Sequence, residues 1–250
     1  PDKQSHCGVE NNENNQIAKV IAVMSGKGGV GKSTVTALLA RAMKRKGLNV
    51  GVMDADITGP SMPRLMGVQG KPVENGMFGL LPTEDEHGIP VMSLNLLLES
   101  EDQPVIWRGP VISSVIGQFW KDVFWGKLDV LLIDLPPGTG DVALTVLQSL
   151  PVSGVVLVSV ADSMVSMIVK KALNMARKME TPVLGVVQNM AYAQCRCGER
   201  VPLFDDGEAR QALAAEGLPL LAELPFQRGI EGGNAEVDRA MDIAATQILG

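Results

Sequence analysis

The sequence predicts an α/β protein, a mostly parallel sheet with helices on both faces, and three observations carry that reading. From Lys19 onward, short β-branched apolar runs alternate with amphipathic helical stretches, the pattern of parallel strands joined by crossover helices. The chain is 46 % hydrophobic yet only 4 % aromatic, so its core is aliphatic and methionine-rich, as a sheet buried on both faces tends to be. A glycine-rich turn joins the first apolar run to the first helical stretch.

Residues 1–16 are polar and asparagine-rich and read as a flexible tail, in which Cys7 is incidental. The start at Pro1 fits a processed or excised piece. Residues 17–250 read as one domain that includes a cysteine loop at 190–206. Strands are expected at 20–24, 49–53, 91–97, 128–134, 154–160, 183–189 and 218–224. Helices are expected at 35–46, 110–120, 163–178, 207–216 and 234–249, with a glycine- and proline-rich surface hairpin at 73–90. The run Leu128-Asp129-Val130-Leu131-Leu132-Ile133-Asp134 is the clearest buried strand, and it ends in an acid.

Composition narrows the function. The 22 basic and 28 acidic residues give −6, against a broad nucleic-acid or anionic-membrane footprint. No apolar run approaches the ~18 residues that cross a bilayer, and no secretory leader is read. Three cysteines in 250 residues make no disulfide framework, so reduced thiols in the cytoplasm are expected.

Residues 26–33 fit the phosphate-binding pattern G-x-x-x-x-G-K-[ST] in full. The backbone of Gly26, Lys27, Gly28, Gly29, Val30 and Gly31 can curl its N–H groups towards phosphate oxygens, and the following helix adds its positive end. Lys32 then reaches the β and γ phosphates, Ser33 can ligate Mg²⁺, and Thr34 completes the motif. Gly26-x-Gly28-x-x-Gly31 also satisfies the dinucleotide fingerprint, with Asp54 where a ribose-binding acid would stand. Lys32 and Ser33 decide for a nucleoside triphosphate, because a dinucleotide site has no use for a lysine aimed at a terminal phosphate.

Acids and an amide complete this apparatus. Asp134 has the position of a Walker B acid that orients Mg²⁺, followed by Leu135-Pro136-Pro137-Gly138-Thr139-Gly140-Asp141, a fixed turn or a switch loop that reads the γ-phosphate. Asp54 and Asp56, two apart on a strand end, are expected on one side facing the phosphates, Asp54 in the Mg²⁺ shell. Asn189, at the end of a late strand, is expected at the adenine edge. Cys195-Arg196-Cys197 supplies two sulfurs, half of a four-thiolate site, which a twofold dimer would complete. A structural zinc half-site, a redox pair and two free thiols remain alternatives.

The loop Lys27-Gly28-Gly29-Val30-Gly31-Lys32-Ser33-Thr34 resembles the deviant Walker A motif of MinD, ParA, the nitrogenase iron protein and the Mrp/ApbC (Nbp-type) iron–sulfur carriers. Asp54-Ala55-Asp56-Ile57-Thr58-Gly59-Pro60-Ser61, Trp107-Arg108-Gly109-Pro110 and the proline-rich switch stretch are similar to the last branch in particular. The resemblance spans residues 17–250 and implies a MinD-like P-loop ATPase. Its implied catalytic groups are Lys27, which crosses to the partner's nucleotide, Lys32, and Asp56, which positions the attacking water. It implies ATP, Mg²⁺ and a bridging iron–sulfur cluster of 4Fe–4S type on Cys195 and Cys197 of a homodimer, delivered to apo iron–sulfur proteins. The family usually has C-x-x-C, and here a single residue separates the cysteines. The other functions implied are a MinD- or ParA-like positioning ATPase, which the acidic stretch 234–242 disfavours on membranes, and an electron-transfer reductase, which wants cysteines in the switch stretch that are not there.

Overall fold

The computed structural model describes residues 11–56, 61–93, 96, 109–160, 165–195, 197, 199–204, 207–227, 229–232 and 234–250. The first ten residues with Cys7, residues 57–60, Trp107, Arg108, the end of the 91–97 strand and the start of the 163–178 helix lie outside them.

The strands are β1 (Gln16–Ser25), β2 (Val50–Asp54), β3 (Glu74–Gly76), β4 (Gly79–Leu81), β5 (Thr83–Glu84), β6 (Pro90–Ser93), β7 (Lys127–Asp134), β8 (Gly154–Ser159), β9 (Val183–Gln194), β10 (Arg200–Pro202) and β11 (Leu220–Pro225). The helices are α1 (Lys32–Arg45), α2 (Met62–Leu65), α3 (Gly109–Asp122), α4 (Asp141–Ser149), α5 (Val165–Lys178), α6 (Gly207–Ala215) and α7 (Ala235–Leu249). The main sheet runs β10-β9-β8-β1-β7-β2-β6-β5, with β11 also on β9. Its pairs are parallel except at β5 and β10. β3 and β4 form the surface hairpin expected from their glycines.

Alternation along β1 shows why both faces carry helices. Ile21 and Val23 join the core under α1, α2 and α7, whereas Val20, Ala22 and Met24 join the core under α3, α4, α5 and α6. A strand with apolar residues on both sides can only be buried twice. β7 lies between β1 and β2, and register sets Asp134 beside both Val23 and Asp54. This one feature of topology gathers the acids at the carboxyl edge, next to the glycine turn.

Two expectations need correction. The polar tail is tied down before residue 16: Asn15 is buried, its side chain donating to the Val123 carbonyl and accepting from the N–H groups of Trp125 and Gly126. The late strand also does not stop at 189. β9 continues through Met190, Ala191, Tyr192 and Ala193 because that run is apolar enough to pair, with Tyr192 beside both Pro202 and Pro225. Much of the expected cysteine loop is therefore a hairpin of β9 and β10.

Candidate functional site

The glycine turn folds into a cradle. Gly29 and Gly31 hold positive φ of 80° and 81°, which turns the backbone at low steric cost. Gly31 is the N-cap of α1, and no side chain caps that terminus. The open N–H groups and the dipole of a 14-residue helix face a cavity of about 650 Å³. Lys27, Ser33, Thr34, Asp56, Arg64 and Pro137 are among its lining residues. Gly138 N–H donates to the Ser25 carbonyl, so the proline-rich stretch lies against the mouth of the turn.

Below the cradle, Asp134 is fully buried and surrounded by donors. Lys32 Nζ stands 2.8 Å from its Oδ2 and 3.7 Å from Asp56 Oδ2. Ser33 Oγ donates to Asp134 Oδ2 at 2.6 Å, and Thr36 Oγ1 donates to Oδ1 at 2.8 Å. Burial pushes the Asp134 carboxyl upward; the Lys32 ammonium and the two hydroxyls oppose it. Lys32 thus rests on the acids while its place among phosphate donors stays open. The set fits a magnesium–triphosphate: Ser33 hydroxyl and Asp134 carboxylate converge where a hard cation needs oxygens.

Asp54 lies deeper than Asp56: Asp56 lines the cavity, while Asp54 is buried, taking Ser93 Oγ at 2.8 Å on Oδ2 and the Asp56 N–H at 3.0 Å on Oδ1. Burial first, and then neighbouring Asp134, push its carboxyl up to about 8. At neutral pH Asp54 therefore holds a proton in the folded chain, and an unfolded chain releases it near the ordinary 3.8. Stability of the nucleotide-free protein should fall as pH rises from about 4 to about 8. Asp54→Asn should flatten that slope and exceed the wild type above pH 8 in urea denaturation. Parallel curves for the two proteins would show that Asp54 titrates normally.

Asn189 packs against the glycine turn. It is buried outside the cavity lining, and its Nδ2 donates to the Val30 carbonyl at 2.9 Å, bracing the glycine turn from beneath. Its Oδ1 is buried with no hydrogen-bond partner among the described residues. Thr36, Ser93 and Arg64 were missed by sequence reasoning. Only Thr36 had a signal, standing one helical turn beyond Lys32 on the face that carries Lys32 and Ser33.

Cys195 and Cys197 sit at the tip of the β9–β10 hairpin. They are joined as a disulfide with Cα atoms 5.3 Å apart, which corrects the expectation of free thiols. The single intervening residue holds the two sulfurs together, and reduction must precede any metal binding through them. The hairpin is anchored to α7: Tyr192 Oη and Arg200 both donate to Glu236, and Arg200 lies over the Tyr192 ring. Burial and that bond to Glu236 push the Tyr192 hydroxyl up to about 12.

A parallel sheet with a glycine cradle, an uncapped helix terminus and a buried acid pinned by the loop lysine defines a P-loop nucleotide-binding protein. The chain belongs to the ParA family of NUBPL-type iron-transfer P-loop NTPases, whose model matches residues 16–247. It is 50 % identical over 231 residues to an iron-sulfur cluster carrier protein of Clostridium perfringens, covering 88 % of this chain and 81 % of that one. It is 40 % identical over 222 residues to an Arabidopsis thaliana iron-sulfur protein required for NADH dehydrogenase, mitochondrial, covering 88 % and 70 %. Among solved structures, a nucleotide-binding protein from Archaeoglobus fulgidus, in complex with ADP and with Co, matches at TM-score 0.76 and 42 % identity, covering 92 % and 88 %. The cell division ATPase MinD of Pyrococcus furiosus shares the fold, at TM-score 0.61 and 22 % identity over 92 % and 98 %. Among the described residues no helix is long and apolar enough to cross a membrane.

Proposed function

We propose that the chain is an iron–sulfur cluster carrier that binds and hydrolyses ATP, assembles a cluster between two copies of itself and passes it to apo iron–sulfur proteins. The observation that carries this reading is the path of β9. The strand begins its approach at Asn189, which holds Val30 of the nucleotide cradle, and ends one residue before Cys195. A change in the cradle thus reaches the sulfurs along one strand, over about 20 Å at ~3.3 Å per residue.

In this reading Lys32 and the N–H groups of the turn bind the phosphates, and Lys27 reaches the partner's nucleotide across the dimer seam. Asp56 positions the attacking water. Ser33 and Asp134 would hold Mg²⁺, which when bound neutralises phosphate charge; Asp54, protonated and hydrogen-bonded to Ser93, lies beside Asp134 in register. Asn189 acts through the cradle, and its free Oδ1 is the atom left for the adenine edge. Two copies contribute four sulfurs, the number a 4Fe–4S cluster takes. The cysteines must be reduced for this, and the reading takes the reducing cytoplasm as the compartment in which the protein works.

Anaerobic reconstitution with iron and sulfide tests the reading. About four irons and four sulfides should be recovered per two chains, with the mass of a dimer. Cys195→Ala and Cys197→Ala should each lose the visible absorbance. A loaded form that is a single copy, or full loading of Cys195→Ala, would overturn it.

A further inference from the structure

Register across the β9–β10 hairpin brings a third donor to the cysteines. Gln194 pairs with Arg200, and the next residue inward, Cys195, donates its N–H to the Glu199 carbonyl at 3.0 Å. Residues opposite one another on an antiparallel pair direct their side chains to the same side. Cys197 stands between them at the tip, its N–H donating to Cys195 Sγ at 3.2 Å. Cys195 Sγ, Cys197 Sγ and a Glu199 carboxylate oxygen all lie within 4.8 Å of one another. Cys195 is half-buried and the other two are exposed, so an ion reaches them from solvent.

We propose that Cys195, Cys197 and Glu199 of one chain form a mononuclear site for a single borderline-soft divalent cation of the Zn²⁺, Co²⁺ or Fe²⁺ class. Bond lengths of about 2.0–2.3 Å place tetrahedral donors roughly 3.3–3.8 Å apart, so the two sulfurs, bonded in the disulfide, part on reduction, and the carboxylate oxygen, within 4.8 Å of both, draws in by about an ångström or less. Two thiolates exclude Mg²⁺ and Ca²⁺, which take oxygen donors. Three protein ligands leave a fourth position open. The carboxylate supplies what a two-cysteine loop lacks: a chain that keeps hold of its metal before a second chain arrives.

The site forms in two balanced steps. A dithiol reductant gives two electrons and two protons to the sulfurs of Cys195 and Cys197, breaking the S–S bond and leaving as its own disulfide. The cation then displaces both thiol protons to solvent. The role of this site as a loading step rests on the carrier reading; the cation site itself does not.

Cobalt titration of the full chain tests the proposal, after reduction with a dithiol and its anaerobic removal. The wild type should bind one Co²⁺ per chain, with thiolate-to-cobalt charge transfer and the intense d–d absorption of a tetrahedral ion. Glu199→Gln should weaken binding about tenfold or more and alter the d–d envelope, and Cys197→Ala should abolish the charge-transfer band. Unchanged affinity and spectrum in Glu199→Gln, or one Co²⁺ per two chains in the wild type, overturns the proposal. A wild type that loads an iron–sulfide cluster while Glu199→Gln binds Co²⁺ as before sinks this inference and leaves the carrier reading. One that binds Co²⁺ per chain but takes up no cluster does the reverse.

Discussion

Lys32→Met is expected to lower ATP hydrolysis by roughly a hundred- to a thousandfold, the cost of removing one preorganised donor from a charge-developing site. It also removes the ammonium that sits 2.8 Å from a carboxylate with no exposure to water. The nucleotide-free variant must then bury Asp134 with, among the described residues, the Ser33 and Thr36 hydroxyls to hold it. Leaving a buried charge unpaired costs about 3–5 kcal/mol, and the carboxyl reduces that cost by taking a proton. The loss of stability should therefore be small in acid and grow as pH rises, which urea denaturation at several pH values would read. Asp56→Asn separates the two effects. Lys32 approaches Asp56 only to 3.7 Å, so this variant should keep most of the stability and the nucleotide affinity while hydrolysis falls. Hydrolysis at the normal rate in Lys32→Met would mean that the cradle is not where ATP is cleaved.

The parts of this site that were legible in the sequence are those whose chemistry is local. The glycines, Lys32 and Ser33 lie within one turn and one helix start, so spacing alone describes their placement. Asp134 was legible because a buried apolar strand ending in an acid has few other uses. Alternation in the strands announced the two-faced sheet for the same reason, as Val20 and Ile21 show by entering opposite cores. What was not legible depends on neighbours far along the chain. Asp54 takes a hydrogen bond from Ser93, at the end of β6, and no pattern near residue 54 announces residue 93. Asn189 turns to the Val30 carbonyl, 159 positions away. Glu199 meets the cysteines only because β9 runs on past 189 and folds back as β10, a register that cross-strand pairing sets. Periodicity reports which face of an element is buried, and it is silent on which polar partner waits there.

Gly31→Ala should unfold the cradle from within, and it offers a direct measure of the contact with Asn189. An added Cβ would lie 2.2 Å from Asn189 Nδ2 and 3.5 Å from its Cγ, at a backbone φ of +81°. The left-handed conformation alone costs alanine about 1–2 kcal/mol. Moving Nδ2 aside also breaks its bond to Val30 and orphans a buried carbonyl, for another ~1–3 kcal/mol. A total of about 2–5 kcal/mol corresponds to roughly 5–15 °C in Tm for a chain of this size, with nucleotide affinity falling alongside because the turn must widen. Gly29 supplies the control. It has nearly the same φ, +80°, and no described residue within 4 Å of its added Cβ, so Gly29→Ala should carry the conformational cost alone. The steric part should vanish in the double variant Gly31→Ala/Asn189→Ala, whose loss should be smaller than the sum of the two single losses. Equal destabilisation by Gly29→Ala and Gly31→Ala, or strict additivity with Asn189→Ala, would show that Asn189 does not support the turn. The strand leading to the cysteines would then be mechanically independent of the nucleotide.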